Sequence, residues 1–138
     1  MKSRAIWAVI LVAVAAAAAF WGVRDEEPPV TLAEARAMHN PLSASPENLA
    51  AAKRLFAEKC AHCHGATGRG DGPDAVLYSI KPADLTSPMI EMIPEGELFY
   101  KISEGRKPMP AFRRQLRREQ RWQLVHYVQS LAQAEHGN

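Results

Sequence analysis

Cys60-Ala61-His62-Cys63-His64 is a C-x-x-C-H run, and its spacing gives each residue a job. Two thiols held three positions apart reach the two vinyl groups of one porphyrin, and the histidine that follows is brought under the iron as proximal ligand. The chain has no other cysteines, so no disulfide framework can hold the rest of it together. Two rival readings of a cysteine pair fail on context. A thioredoxin-like dithiol follows a strand and opens a helix, whereas this motif ends one. A zinc site needs four ligands, and neither a second cysteine pair nor histidines at finger spacing exist. The expected cofactor is one covalently attached haem c, held by Cys60, Cys63 and His64.

Just before the motif, Ser45 is placed to cap a helix whose first turn holds Pro46 and Glu47, and Leu49, Ala52 and Phe56 share one face of it. A second amphipathic helix is predicted over 117–132, with Leu124, Tyr127, Val128 and Leu131 at i, i+3, i+4 and i+7. Each needs an apolar partner, and each is the other's most economical one. Between them, Gly65 to Pro73 superficially resembles a phosphate-binding loop. It lacks the lysine and hydroxyl residue and follows no strand, so it is expected to wrap the haem edge. Asp71 and Asp74 are too few for a calcium cage and are expected to be solvated.

An electron carrier needs the sixth position of its iron filled, and a methionine sulfur does this while raising the potential. Of Met89, Met92 and Met109, the last lies between Pro108 and Pro110, in a stiff segment that could hold a thioether against iron. Met89 and Met92 are expected to fill gaps in the core. Were Met109 not the ligand, His126 on the terminal helix would be the next candidate, although a solvated or interface role suits it better.

Taken together, these elements resemble the class I c-type cytochromes from about Pro46 to Ala132. The likeness rests on Phe56 ahead of the motif, the motif itself, Pro82-Ala83-Asp84-Leu85, Glu97-Leu98-Phe99-Tyr100, Gly105 with Met109-Pro110-Ala111-Phe112, and Trp122 and Tyr127. It implies an all-α fold in which the first and last helices cross beside the haem, with His64 and Met109 as axial ligands. It also implies a backbone carbonyl that orients His64, for which Pro73 and Pro82 are the candidates. Ala52 departs from the glycine often found at the helix crossing, which predicts a slightly wider contact. A looser resemblance links 40–72 to monohaem subunits of quinol-oxidising alternative complex III.

Of the 138 residues, the first two dozen read as targeting rather than fold. Nineteen uncharged residues run from Ala5 to Val23, flanked by Lys2 and Arg4 before and by Arg24, Asp25, Glu26 and Glu27 after. As a helix they span about 28 Å, close to the hydrocarbon thickness of a bilayer. The alanines at 15–19 also offer cleavage sites, so 1–24 is expected to be a membrane anchor or a signal segment. The domain expectation is a tether at 25–45, with a short helix within 31–39, a cytochrome c domain at 46–134 and a tail at 135–138. The predicted location is the bacterial inner membrane with the haem domain on the periplasmic side, or the soluble periplasm if the segment is cleaved.

The 17 basic and 15 acidic residues nearly balance, for a net charge of +2, yet eight of the basic residues and only two acidic ones fall between Lys101 and Arg121. That run is placed to dock an acidic redox partner. The expected partners are redox proteins, with a quinol-oxidising or terminal oxidase complex in view and no nucleic acid. An enzyme such as a peroxidase would need an open iron and usually a second haem, and a gas sensor would need five-coordinate iron. A sixth ligand at Met109 argues against both, so the expected role is electron transfer without catalysis of its own.

Overall fold

The computed structural model describes residues 27–136. Among them are five α-helices, α1 Leu32–Arg36, α2 Pro46–Lys59, α3 Ala61–His64, α4 Glu95–Glu104 and α5 Arg118–His136, with 3-10 turns at Pro73–Leu77 and Pro88–Ile90. No strand occurs among the described residues beyond one isolated bridge between Arg106 and Met109. The fold is all-α, as expected.

The helices begin where local chemistry starts them. The Ser45 hydroxyl accepts a hydrogen bond from the Asn48 amide, satisfying one of the free N–H groups at the start of α2, and Pro46 occupies the first turn, where its missing N–H costs nothing. Ala52 and Phe56 are the buried positions of α2, and that face packs against α5. At the contact the Phe56 and Tyr127 rings lie 5.2 Å apart at 56°, and Gln123 donates to the Asn48 side chain at 2.9 Å. Ala52 is fully buried, so its methyl group is accommodated in the packing. On the other flank of α5, Trp122 stacks on Phe99 of α4 with ring centroids 4.1 Å apart, a pairing that contributes about 0.5–1.5 kcal/mol beyond the area it buries.

The described part of the 25–45 stretch, expected as a tether, is a strap packed along α4 and α5. Thr31 and Glu34 form a reciprocal capping box that starts α1. Asn40 then binds both neighbours, its amide N–H donating to Glu95 at 3.1 Å and its side chain to the Trp122 carbonyl at 3.0 Å. The His126 Nε2–H donates to the Leu42 carbonyl at 2.9 Å, so this histidine, expected in a solvated or interface role with ligation only as a fallback, fastens the strap to α5. Upstream, the Glu27 carboxylate pairs with Arg118 and Arg121, while its carbonyl accepts from Arg113 at 3.2 Å. Polar side chains and backbone fasten the strap, while Ala35 is the buried residue of α1 and Met38 and Leu42 pack against the core cluster that holds Ile90, Phe99 and Trp122.

The tightest approach is at Gly96 in the first turn of α4. A Cβ there would lie 1.7 Å from the Ala35 carbonyl oxygen and 2.9 Å from that of Met38. Both obstacles are backbone, which side-chain rotation cannot move. Gly96→Ala is therefore expected to cost about 2–3 kcal/mol and to lower the melting temperature by about 10 °C. A melt of the haem-loaded variant within about 2 °C of wild type, equivalent to about a third of a kcal/mol, would show that the strap is not held this closely.

Met89 and Met92, expected in the core, are 72% and 83% exposed. The turn at Pro88–Ile90 directs Ile90 inward instead. The apolar run from Ala5 to Val23, expected as anchor or signal, lies outside the described residues, as do positions 137–138 of the tail. Among the described residues no helix is long and apolar enough to cross a membrane.

Candidate functional site

The motif is one tight turn at the end of α2. Cys60 closes that helix, its N–H donating to the Phe56 carbonyl at 2.8 Å, and the amides of Cys63 and His64 then donate to the Cys60 carbonyl at 3.1 and 2.9 Å. Both thiols and the imidazole are thereby fixed by backbone geometry to a single place. They line a cavity of about 450 Å³, to which the loop from Arg106 to Phe112 contributes Met109. Its size falls in the range of cofactor pockets, roughly 300–1,000 Å³.

Met109 is the one methionine among the described residues that lines this cavity. Its loop is closed by two backbone hydrogen bonds, from the Arg106 amide to the Met109 carbonyl at 3.1 Å and from the Met109 amide to the Arg106 carbonyl at 2.8 Å. The loop is then tied to α4, as Phe112 donates to the Ile102 carbonyl and Arg113 to that of Ser103. Met109 also packs against the buried cluster of Phe56, Phe112, Leu116 and Leu124. The four residues expected from sequence, Cys60, Cys63, His64 and Met109, thus meet at one cavity.

The orienting carbonyl is that of Ala83, which lies 3.0 Å from His64 Nδ1; neither Pro73 nor Pro82 supplies it. A carbonyl only accepts, so Nδ1 carries the proton and Nε2 keeps its lone pair for a metal. Burial lowers the His64 pKa below that of a free imidazole, a shift only partly offset by the Ala83 hydrogen bond. The ring is therefore neutral at neutral pH, as a ligand must be. Ala83 is itself positioned: Asp84 accepts from the Thr86 amide and hydroxyl at 2.9 and 2.7 Å, and Leu85 donates to the Gly68 carbonyl at 2.7 Å. Pro82-Ala83-Asp84-Leu85 stood out in the sequence, but which carbonyl points at the ring depends on the path of the loop.

The glycine-rich segment does wrap the motif, with Gly70 donating to the His64 carbonyl at 2.7 Å and Gly72 to that of Cys63 at 3.2 Å. Asp74, expected in solvent, is half-buried at the edge of the cavity. Burial, aided by neighbouring Cys63, pushes the Cys60 thiol up to about 12. A dithiol redox centre needs the opposite, a thiolate stabilised near neutrality. Among the described residues no cluster of three or more His, Cys, Asp or Glu side chains could hold a bare metal ion. The site fits a haem bonded through two thioethers and does not fit zinc or disulfide chemistry.

The basic run at Lys101–Arg121 is divided: Arg121 is buried and Arg113 and Arg118 are half-buried, whereas Lys101, Arg106, Lys107, Arg114 and Arg117 are exposed. Lys101 pairs with Glu97, Arg113 with Glu104, and Arg118 and Arg121 with Glu27. Arg121 also donates to the buried Ser103 hydroxyl and stacks on the Phe99 ring at 4.7 Å. The cations left at the mouth of the cavity are Arg106 and Lys107, joined there by Lys59 and Lys81 from outside the run.

Residues 47–128 match the family described as cytochrome c oxidase, cbb3-type, subunit III. Among solved structures, a chain of the reducing HAO-like protein complex of Kuenenia stuttgartiensis superposes with a TM-score of 0.62 and 33% sequence identity. The match covers 84% of this chain and 55% of that one, so the protein corresponds to little more than half of its neighbour. A search of curated proteins gave no match.

Proposed function

The chain belongs to the family described as cytochrome c oxidase, cbb3-type, subunit III, and is a class I c-type cytochrome that transfers electrons through covalently bound haem c; on that premise we propose that His64 and Met109 are the axial ligands and that the protein works anchored to a membrane. The observation that carries the ligand assignment is the shared cavity, lined by the C-x-x-C-H turn and by Met109, with His64 Nδ1 already committed to Ala83.

When bound, haem c supplies a one-electron ferric/ferrous couple. The residues of the chain do the rest. Cys60 and Cys63 provide the two thioether links. The Ala83 carbonyl keeps the imidazole in one tautomer and one orientation, so that little needs to reorganise when the charge at the site changes. Met109, held on a loop pinned at both ends, completes the coordination and keeps small ligands out. Pro108, Pro110 and Phe112 limit access of water, which together with the thioether favours a higher potential.

The partner is a redox protein. Lys59, Lys81, Arg106 and Lys107 at the mouth of the cavity favour one with an acidic docking face. A quinol-oxidising or terminal oxidase assembly in the bacterial inner membrane, approached from the periplasmic side, is the proposed setting. The uncharged run at 5–23 and its basic start support anchorage there.

Potentiometric titration with a carbon monoxide challenge tests the ligand assignment. The expected results are a single one-electron wave and a reduced spectrum unchanged by carbon monoxide. Rapid carbon monoxide binding to the reduced wild-type protein would mean an open iron and would remove Met109 from the ligand set.

A further inference from the structure

We propose that the exposed arginines of the 113–118 segment form a membrane-contact face for anionic lipid headgroups, held against the bilayer by the Glu27 clasp; this rests on the anchored reading above. The uncharged run ends at Val23, and Glu27 follows four residues later. Four residues reach at most about 14 Å when fully extended. Glu27 is no free linker residue, for its carboxylate pairs with Arg118 and Arg121 and its carbonyl accepts from Arg113 at 3.2 Å. The side chains of Arg121 and Glu27 are 3% and 9% exposed, so the clasp belongs to the folded body. Whatever surface surrounds Glu27 must then lie within one short stretch of chain from the bilayer.

That surface is cationic. Arg113 and Arg121 are consumed by internal contacts. Arg114 is exposed and has no ion-pair partner among the described residues. Arg117 is 71% exposed, with only Glu119 near it at 3.9 Å, and Arg118 keeps 42% of its side chain in solvent. Arg114 and Arg117 gain little from the fold, whereas Arg118 is partly committed to Glu27 and to the Phe99 ring, 5.3 Å away. Arg117 and Arg118 stand at the start of α5, the positive end of the helix dipole, where carboxylates are favoured and cations are not. Phosphate headgroups opposite them supply the missing counter-charge. The segment directly follows the loop that carries Met109, so such a seating also brings that side of the cavity toward the membrane and any partner embedded in it.

The test uses the full-length holoprotein in lipid nanodiscs of phosphatidylcholine, with or without phosphatidylglycerol, doped with a nickel-chelating lipid. Cys60 and Cys63 are bonded to haem, so a nitroxide can be placed on Gln115→Cys or, as a remote control, on Met89→Cys. With the iron reduced, nickel should relax the label at 115 at least threefold more than the label at 89 in anionic discs. Arg114→Glu with Arg117→Glu should erase that difference. Equal relaxation at the two sites overturns the proposal. It is also overturned if 115 ignores the lipid while the charge reversals slow reaction with an acidic redox protein, since the run would then dock protein. Intact mass separates the underlying premise: loss of 5–23 from the mature chain refutes anchorage. Salt-sensitive sedimentation of that shorter holoprotein with anionic vesicles, lost in the double variant, would then still support the lipid face, and no sedimentation would refute it.

Discussion

Met109→Ala is expected to erase the weak far-red absorption band that reports methionine sulfur on ferric iron, to open the reduced protein to carbon monoxide, and to lower the reduction potential by about 0.2 V, a quarter of the roughly 0.8 V that axial ligation commands. The effect should be this large because no other methionine among the described residues lines the cavity to replace the sulfur. Met89 and Met92 are in solvent, and His126 is engaged with the Leu42 carbonyl. Alanine would also cost packing, since Met109 contacts the buried cluster around Phe112, and large-to-small changes of this kind destabilise by about 2–5 kcal/mol when fully buried. Met109→Leu separates the two effects. It keeps most of the volume but not the sulfur, so it should show the same spectral and redox change with a melting temperature close to that of wild type. A retained far-red band in Met109→Leu would assign the sixth position to another residue.

The second large effect is expected at Gly72. A Cβ there would fall 2.4 Å from the His62 carbonyl oxygen and 2.6 Å from that of Ala61, both belonging to the turn that presents the two thiols and the imidazole. Neither carbonyl can move without displacing the motif, so the loop must lift instead, losing the Gly72 hydrogen bond to the Cys63 carbonyl. Gly72→Ala is expected to cost about 3 kcal/mol or more and to reduce the yield of haem-loaded protein several-fold, as read by the ratio of haem absorbance to protein. Normal loading and stability in this variant would mean that the loop lies farther from the motif than the structure places it.

Much of the site was legible because its chemistry is local. C-x-x-C-H is a fixed spacing on one turn, and the prolines flanking Met109 mark a stiff loop without any knowledge of the fold. The helices were equally readable, since Ser45-Pro46 and the apolar faces of α2 and α5 follow from capping and periodicity. What sequence could not supply depends on chain path. Pro73 and Pro82 were reasonable candidates to orient His64, yet the carbonyl that reaches Nδ1 is that of Ala83, set by the Asp84 turn and the Leu85 link to Gly68. The strap was hidden because charged and polar groups do much of the fastening, and its apolar residues, Met38 and Leu42 among them, stand between prolines without a sustained period, so the stretch reads as linker. Contacts of this kind also reduce the free charge of the basic run: Glu27 and Glu97, from outside it, pair with Arg118, Arg121 and Lys101.

The most direct test is the optical spectrum of the full-length protein, oxidised and reduced, after expression with a haem-attachment system. The expected result is a low-spin c-type haem that stays with the chain on denaturation, with the far-red band in the ferric state. A chain that emerges without covalent haem, or one whose ferric haem is high-spin with no far-red band, would contradict it.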